Sequence, residues 1–392
     1  MSRDTCEPIG LTPPTFAPID SGKNITVVVT EDCNLRCRYC YLAHKNPNQR
    51  MTFDVARRCI DYLLERRDLF QEGSVTWDFI GGEPLLEIPL LEQIIDFIFV
   101  RSYELNHPWF TQSQFSITTN GLLYCTDQVQ RFVERYRDAV EITISIDGPE
   151  HVHDRARVTA QQRGSYAVVR KSVDLWLKQY PNASTKVTIS QDNVAFVAES
   201  ILHLFELGIK EVSANTVFED VWNEGDDLIF EQQLDRLGEE MIRTGLWRSH
   251  RCSLFGRDIG KPLDPQRDNL NWCGSGRMLA IDAKGTFYPC NRFLPFSLNK
   301  HAPRSIGNIN TGIDFNRVRP FLALTRRAQS NDECFMCKIA RGCAWCQGFN
   351  YDAATTPTIY QRATYICRMH KARVRSNERY FRAVDKAEGK IL

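Results

Sequence analysis

The chain has 392 residues, 43% hydrophobic and 25% charged, and 49 basic against 48 acidic side chains leave a net charge of +1. That length exceeds what one hydrophobic core usually serves, and the near-neutral balance gives no reason to expect a nucleic-acid partner. Neither a run of about eighteen apolar residues nor a charged, apolar, small-residue leader is found, which argues against a spanning helix and a secretory signal and points to the cytoplasm with no membrane partner.

Residues 1–23, with "IGLTPPTFAPIDSG", read as an irregular lead-in. Six short runs rich in β-branched residues follow: "NITVVVT" (24–30), "SVTWDFI" (74–80), "FSITT" (115–119), "VEITISI" (140–146), "TKVTIS" (185–190) and "IKEVSANTVF" (209–218). Between them lie segments with apolar residues every three or four positions, among them "FDVARRCIDYLLERR", "LLEQIIDFIFVRSYEL", "DQVQRFVERY" and "SYAVVRKSVDLWLKQY". Strand and helix in strict alternation predict an α/β fold. Right-handed crossovers would wrap its parallel strands into a partial (β/α)6 TIM-like barrel over residues 24–247. The pattern stops after "FEQQLDRLGEEMIRTGLW" (230–247). Residues 248–392 are irregular, rich in Gly, Pro and Cys, and end in a basic helix over about 369–386.

Fourteen cysteines are the outlying feature. In a large chain without a leader they indicate metal or catalysis rather than disulfides. Ten of them form two tight groups, leaving Cys6, Cys59, Cys125 and Cys252 outside. The first group sits in "EDCNLRCRYCYL", where Cys33, Cys37 and Cys40 follow the first strand. In a barrel this is the mouth, where such folds carry their chemistry. Three thiolates are a poor structural zinc site, because zinc there takes four ligands. On a [4Fe–4S] cube the same three leave one iron open to a further ligand.

The C-x3-C-x2-C spacing, with Tyr39 just before the last cysteine, resembles the radical S-adenosylmethionine superfamily. The resemblance implies that the open iron chelates the methionine amine and carboxylate of S-adenosylmethionine. One electron then releases a 5′-deoxyadenosyl radical. Later segments carry the likeness on. "GGEP" (Gly81, Gly82, Glu83, Pro84) matches the turn that holds the methionine amino group. "TTNG", with Asn120, and "SIDGPEHVHDRAR", with Ser145, Asp147 and Arg157, look like the ribose- and carboxylate-facing segments. An arginine can fork onto a carboxylate with two hydrogen bonds. Ser190 matches a ribose or carboxylate contact. His151 and His153 read as local turn residues.

The second group is similar to the seven-cysteine SPASM extension, which implies two auxiliary [4Fe–4S] clusters. Cys334, Cys337, Cys343 and Cys367 would ligate the distal cluster. Cys273, Cys290 and Cys346 would hold the nearer one, its fourth corner open or capped by Cys252. One departure is visible: only two residues separate Cys343 from Cys346, where the family has three. Stretches such as "FIGGEPLLEI", "NWCGSGRMLAID" and "GCAWCQGFNYD" look like peptide maturases of the CXXX-repeat-target type. That implies a cysteine-containing ribosomal precursor peptide, thioether bridges of the ranthipeptide kind, and a low-potential donor of flavodoxin or ferredoxin type. Formylglycine formation, epimerisation or carbon–carbon crosslinking are alternatives within the superfamily, and a zinc-binding adaptor is one outside it. Arg373, Arg375, Arg379 and Arg382 of the last helix form either a precursor-binding stripe or a solvated face.

Overall fold

The computed structural model describes residues 22–40, 42, 44–266, 268–269 and 273–390. Of the expected lead-in, residues 1–21 lie outside this range, Cys6 with them. The first half alternates as expected: β1 (Lys23–Thr30), α1 (Phe53–Glu65), β2 (Val75–Gly81), α2 (Ile88–Glu104), β3 (Ser113–Thr119), α3 (Asp127–Tyr136), β4 (Val140–Ile144), α4 (Glu150–Ala156), α5 (Tyr166–Gln179), β5 (Ser184–Ile189), α6 (Val197–Glu206), β6 (Glu211–Thr216) and α7 (Asp226–Thr244). The short helix α4 escapes the sequence reading because seven residues give too little periodicity to register.

Strands β1 to β4 pair in order and in parallel. β5 pairs in parallel with β6, and a parallel bridge from Ser145 to Lys186 joins the two groups into one curved wall. The helices bury one face each. α1 starts at Thr52, whose hydroxyl accepts from the Val55 N–H, and turns Ala56, Cys59, Ile60, Leu63 and Leu64 inward. α7 ends at Gly245, which takes the left-handed conformation (φ 76°) that a non-glycine residue resists. Trp77 and Trp109 meet edge to face at 6.0 Å, and the Trp176 indole N–H donates to the Ile142 carbonyl at 2.8 Å. Each such large side chain taken from water contributes roughly 1.5–3 kcal/mol.

Beyond α7 come β7 (Arg251–Cys252), β8 (Leu279–Ile281), β9 (Thr286–Tyr288), β10 (Gly307–Asn308), β11 (Gly312–Ile313), α8 (Phe315–Ala323), α9 (Arg326–Gln329), α10 (Asp332–Phe335), α11 (Gln347–Ala353) and α12 (Cys367–Ala387). β7 continues the wall alongside β6, while β8 adds in parallel to the free side of β1 and leads the antiparallel β9–β11. The C-terminal extension therefore covers both edges of the barrel wall. These strands are two or three residues long, too short for alternation to mark them. α12 packs along α7, where Arg375 and Arg379 pair with Glu231 and Asp235, and Arg373 donates to the Ser253 and Leu254 carbonyls. Three of the four candidate precursor-binding arginines are thus engaged within the fold.

Candidate functional site

The cysteine loop leaves β1 and is held on two sides. Toward β2, the Gly82 N–H donates to the Thr30 carbonyl at 2.9 Å and the Glu83 N–H to the Asp32 carbonyl at 2.8 Å. A Cβ on Gly81 would lie 2.0 Å from the Thr30 oxygen, and one on Gly82 would lie 2.0 Å from the Asp32 oxygen. The two glycines are therefore demanded by the loop's own backbone, whatever ligand approaches them. On the other side, the Arg36 N–H donates to the Val158 carbonyl at 2.7 Å and the Arg38 N–H to the Ala156 carbonyl at 3.0 Å.

These contacts bring Cys33, Cys37 and Cys40 to one rim of a cavity of about 460 Å³. Burial pushes the Cys33 thiol up and the Cys37 thiol to about 11, while Arg157 and Lys45 oppose the shift at Cys37. Burial works against the Lys45 ammonium, but the three thiols beside it, Cys40 first, carry its pKa above the usual value. Among the described residues no three His, Cys, Asp or Glu side chains converge tightly enough to hold a single ion. The thiols face a shared cavity instead.

Gly81, Gly82, Glu83, Asn120, Ser145 and Arg157 line the same cavity beside the cysteine loop. Buried Glu83 accepts from the Thr119 hydroxyl at 2.7 Å, the Asn120 N–H at 2.8 Å and the Leu85 N–H at 3.1 Å. Burial raises its carboxyl and those donors pull it back. The Asn120 amide spans 2.7 Å to the Asn34 side-chain oxygen, tying the third strand to the cysteine loop. Pro84 does not line the cavity; it opens the short helical turn Pro84–Glu87.

Two expected cofactor contacts stand elsewhere. Asp147 is 1% exposed and lies beneath the cavity, accepting from the Tyr39 hydroxyl, from Arg157 Nε at 2.9 Å and Nη2 at 3.4 Å, and from the Thr188 N–H at 3.3 Å. Its oxygens are spent on holding Tyr39 and Arg157 in place. The guanidinium also lies 5.6 Å from the centre of the Tyr39 ring. Ser190 is buried just beyond β5, its N–H donating to Asn193 at 2.8 Å, and Thr188 and Lys186 of β5 reach the cavity instead. Lys45, Asp78, Lys186, Thr188, Asn215, Glu219 and Arg292 also line it, and the sequence reading names none of them. Period-two alternation along β2, β5 and β6 marks which residues point inward; nothing local says that a lumen lies there.

The C-terminal cysteines separate into two sets. The Ser275 hydroxyl lies 3.4 Å from both the Cys273 and the Cys290 sulfur, and Cys346 and Cys273 both bear on the Cys290 thiol, which burial pushes to about 12. Cys346 also lines the cavity of the cysteine loop, beside Arg292, which pairs with Glu219 at 2.7 Å. Cys334, Cys337, Cys343 and Cys367 gather around Arg362, whose Nη2 lies 3.1 Å from the Cys343 sulfur. The short Cys343–Cys346 spacing is accommodated by sending the two residues to different sets. Cys252 joins neither: it is buried on β7 under Arg373 and lines a separate cavity with Tyr380 and Phe255.

Fold and site together define a radical S-adenosylmethionine domain with a cysteine-rich C-terminal extension. Residues 27–191 match the Radical SAM superfamily, the span that contains the cysteine loop and every cavity residue up to Thr188. Among relatives, the chain is 26% identical over 304 residues to the uncharacterized protein MJ0907 of Methanocaldococcus jannaschii, covering 77% of this chain and 92% of that one. It is 22% identical over 310 residues to the serine-type anaerobic sulfatase-maturating enzyme of Bacteroides thetaiotaomicron, covering 71% and 72%. Among solved structures, native anSMEcpe with bound AdoMet superposes with a TM-score of 0.67 at 16% identity, over 94% of this chain and all of that one (100%). SuiB of Streptococcus suis bound to precursor peptide SuiA gives 0.58 at 14% identity, over 88% and 76%. These likenesses establish the fold. The superfamily implies a [4Fe–4S] cluster and S-adenosylmethionine. The donor set fits both: three grouped thiols with, among the described residues, no fourth cysteine on the cavity's β1 rim, and polar lining groups that suit an amino-acid and ribose ligand.

Proposed function

We propose that the chain is a radical S-adenosylmethionine enzyme that joins cysteine sulfurs to carbons of a ribosomally made precursor peptide through thioether bonds. The observation that carries this reading is Cys346. It belongs to a set of three thiols and lines the same cavity as the cysteine loop, so both sets address one substrate volume. With Cys252 standing apart, the set of Cys273, Cys290 and Cys346 is, among the described residues, one thiolate short of a full cube, a position that a substrate thiol would suit.

When bound, the cluster and S-adenosylmethionine supply the one-electron chemistry that takes a hydrogen from a substrate carbon. Cys33, Cys37 and Cys40 would hold that cluster, and Glu83, Asn120, Ser145 and Arg157 would orient the nucleotide across the cavity. The Glu219–Arg292 pair bridges the loop after β6 to the residues beside Cys290, keeping the two walls in register. The protein's share is position and the exclusion of water. Cys334, Cys337, Cys343 and Cys367 would carry the distal auxiliary cluster, and an external donor of flavodoxin or ferredoxin type would reduce the enzyme.

Anaerobically reconstituted protein, S-adenosylmethionine, a reductant and a peptide with spaced cysteines test the reading by mass spectrometry. Loss of two hydrogens per bridge, with the bridged cysteine resistant to alkylation, is the expected result. Unchanged mass with an inverted centre means epimerisation, and exchange of a cysteine sulfur and two hydrogens for a water-derived oxygen means formylglycine formation from cysteine. Loss of two hydrogens with every thiol still alkylable means formylglycine formation from serine if an aldehyde-reactive hydrazide labels the product, and a carbon–carbon crosslink if it does not.

A further inference from the structure

The two C-terminal cysteine sets differ in the cations that face them. Beside Cys346 stands Arg292, whose charge is met by Glu219 at 2.7 Å. Around the four-cysteine set stand Arg362 and Arg326. Arg362 gives Nη2 to the Cys343 sulfur at 3.1 Å and to the Ala344 carbonyl at 3.0 Å, its guanidinium lies 3.5 Å from the Trp345 ring centre, and its buried Nη1 has no partner. Arg326 is 2% exposed, faces Cys337, packs over the Phe335 ring at 4.7 Å, and leaves Nε and Nη1 without a partner. The partners these two do have are a sulfur, carbonyls and rings. The carboxylates nearby act only at longer range: Asp268 on Arg326, and solvent-exposed Glu333 on Cys334.

Orphaned N–H groups on buried guanidiniums are costly unless an acceptor fills the space between them. Inorganic sulfides and thiolates of a cube are such acceptors. A cation in this position stabilises the more negative, reduced form, and hydrogen bonds to cluster sulfurs act in the same direction. The three-thiol set lacks this asymmetry, because Glu219 cancels its arginine.

We propose that Arg326 and Arg362 are positioning residues of the four-cysteine site, holding a [4Fe–4S] cluster bound there at a higher reduction potential than one bound by Cys273, Cys290 and Cys346. The inference rests on the auxiliary-cluster reading above. It makes the outer site the thermodynamic resting place of an electron shared between the two: the inner cluster is oxidised by one electron and the outer one reduced by one.

The test is a spectroscopic redox titration of the full chain after anaerobic reconstitution, with iron and sulfide counted per chain and Cys367→Ala used to assign the outer couple. The outer couple should titrate above the inner one. Arg362→Gln should lower it by a factor of at least ten in the reduction equilibrium, about 59 mV for one electron. Arg362→Lys, which keeps the charge but not the fork, should lower it less, and Arg326→Gln should act in the same direction, a second route should Arg362→Gln lose the cluster. The inner couple should not move. An outer couple below the inner one, or one unmoved in variants that retain full iron, overturns the tuning alone. Iron for a single cube in the unsubstituted protein overturns the auxiliary-cluster reading itself.

Discussion

Arg157 and Asp147 form a buried ion pair, Nε to Oδ2 at 2.9 Å, directly beneath the cavity that Arg157 lines and Asp147 does not. The carboxylate also holds the Tyr39 hydroxyl, so one acid fixes both an arginine of the cavity wall and the aromatic residue before Cys40. Breaking such a pair from one side leaves an uncompensated charge, which costs about 3–5 kcal/mol. Asp147→Ala should therefore lose stability of that order in denaturant titration. The double variant Asp147→Ala/Arg157→Met should recover a large part of it while still binding S-adenosylmethionine weakly. Equal loss in both variants would mean that the pair contributes through packing and not through charge.

Gly82 offers a sharper test of the cysteine loop. A methyl group there meets the Asp32 carbonyl at 2.0 Å, which cannot yield without moving Cys33. Gly82→Ala should keep its helical circular dichroism yet lower reductive cleavage of S-adenosylmethionine by about a hundredfold, the scale that misplacing reacting groups by an ångström produces. Production of 5′-deoxyadenosine measures it. Near-normal cleavage would show that the close approach is not what places the thiols.

Cys252→Ala separates a packing role from a ligand role. Because Cys252 lies under Arg373 on β7, the substitution should leave iron and sulfide per chain unchanged and cost only about 1 kcal/mol of core packing. Loss of a cluster's worth of iron would make it the missing fourth thiolate.

His153 is buried, accepts the Asp147 N–H at Nδ1 over 3.3 Å, and lies 3.0 Å from the Ser165 hydroxyl at Nε2. Burial lowers its pKa from 6.5 to about 4. Between those values the unfolded chain binds a proton that the folded one refuses, so stability falls as pH drops from 6.5 toward 4, by roughly 3 kcal/mol in all. Above pH 6.5 both states are neutral and the contribution is complete. Denaturant midpoints measured across this range should flatten in His153→Gln; an unchanged slope would assign the pH dependence to other groups.

Much of this protein is legible in the chain. The runs "NITVVVT" and "VEITISI" are β-branched and bounded by turn residues, so β1 and β4 can be drawn without coordinates, and the apolar period of residues 127–136 marks α3 to the residue. The cysteine spacings mark the two cysteine-rich regions because spacing is itself a geometric requirement for cluster ligands. β7 and β8 could not be read: a strand of two or three residues has no period, and its existence depends on the strand edge it finds.

What the amino-acid order determines alone is therefore local: which segments are strand or helix, and which thiols lie close together along the chain. Contacts between residues far apart decided the rest. They made Asp147 the buried anchor of Arg157, carried Cys252 away from both C-terminal cysteine sets, and set Lys186 and Asp78 facing the lumen. Secondary structure follows from the backbone preferences of neighbours, whereas the partner of a buried charge or thiol is chosen by the path of the whole chain through space.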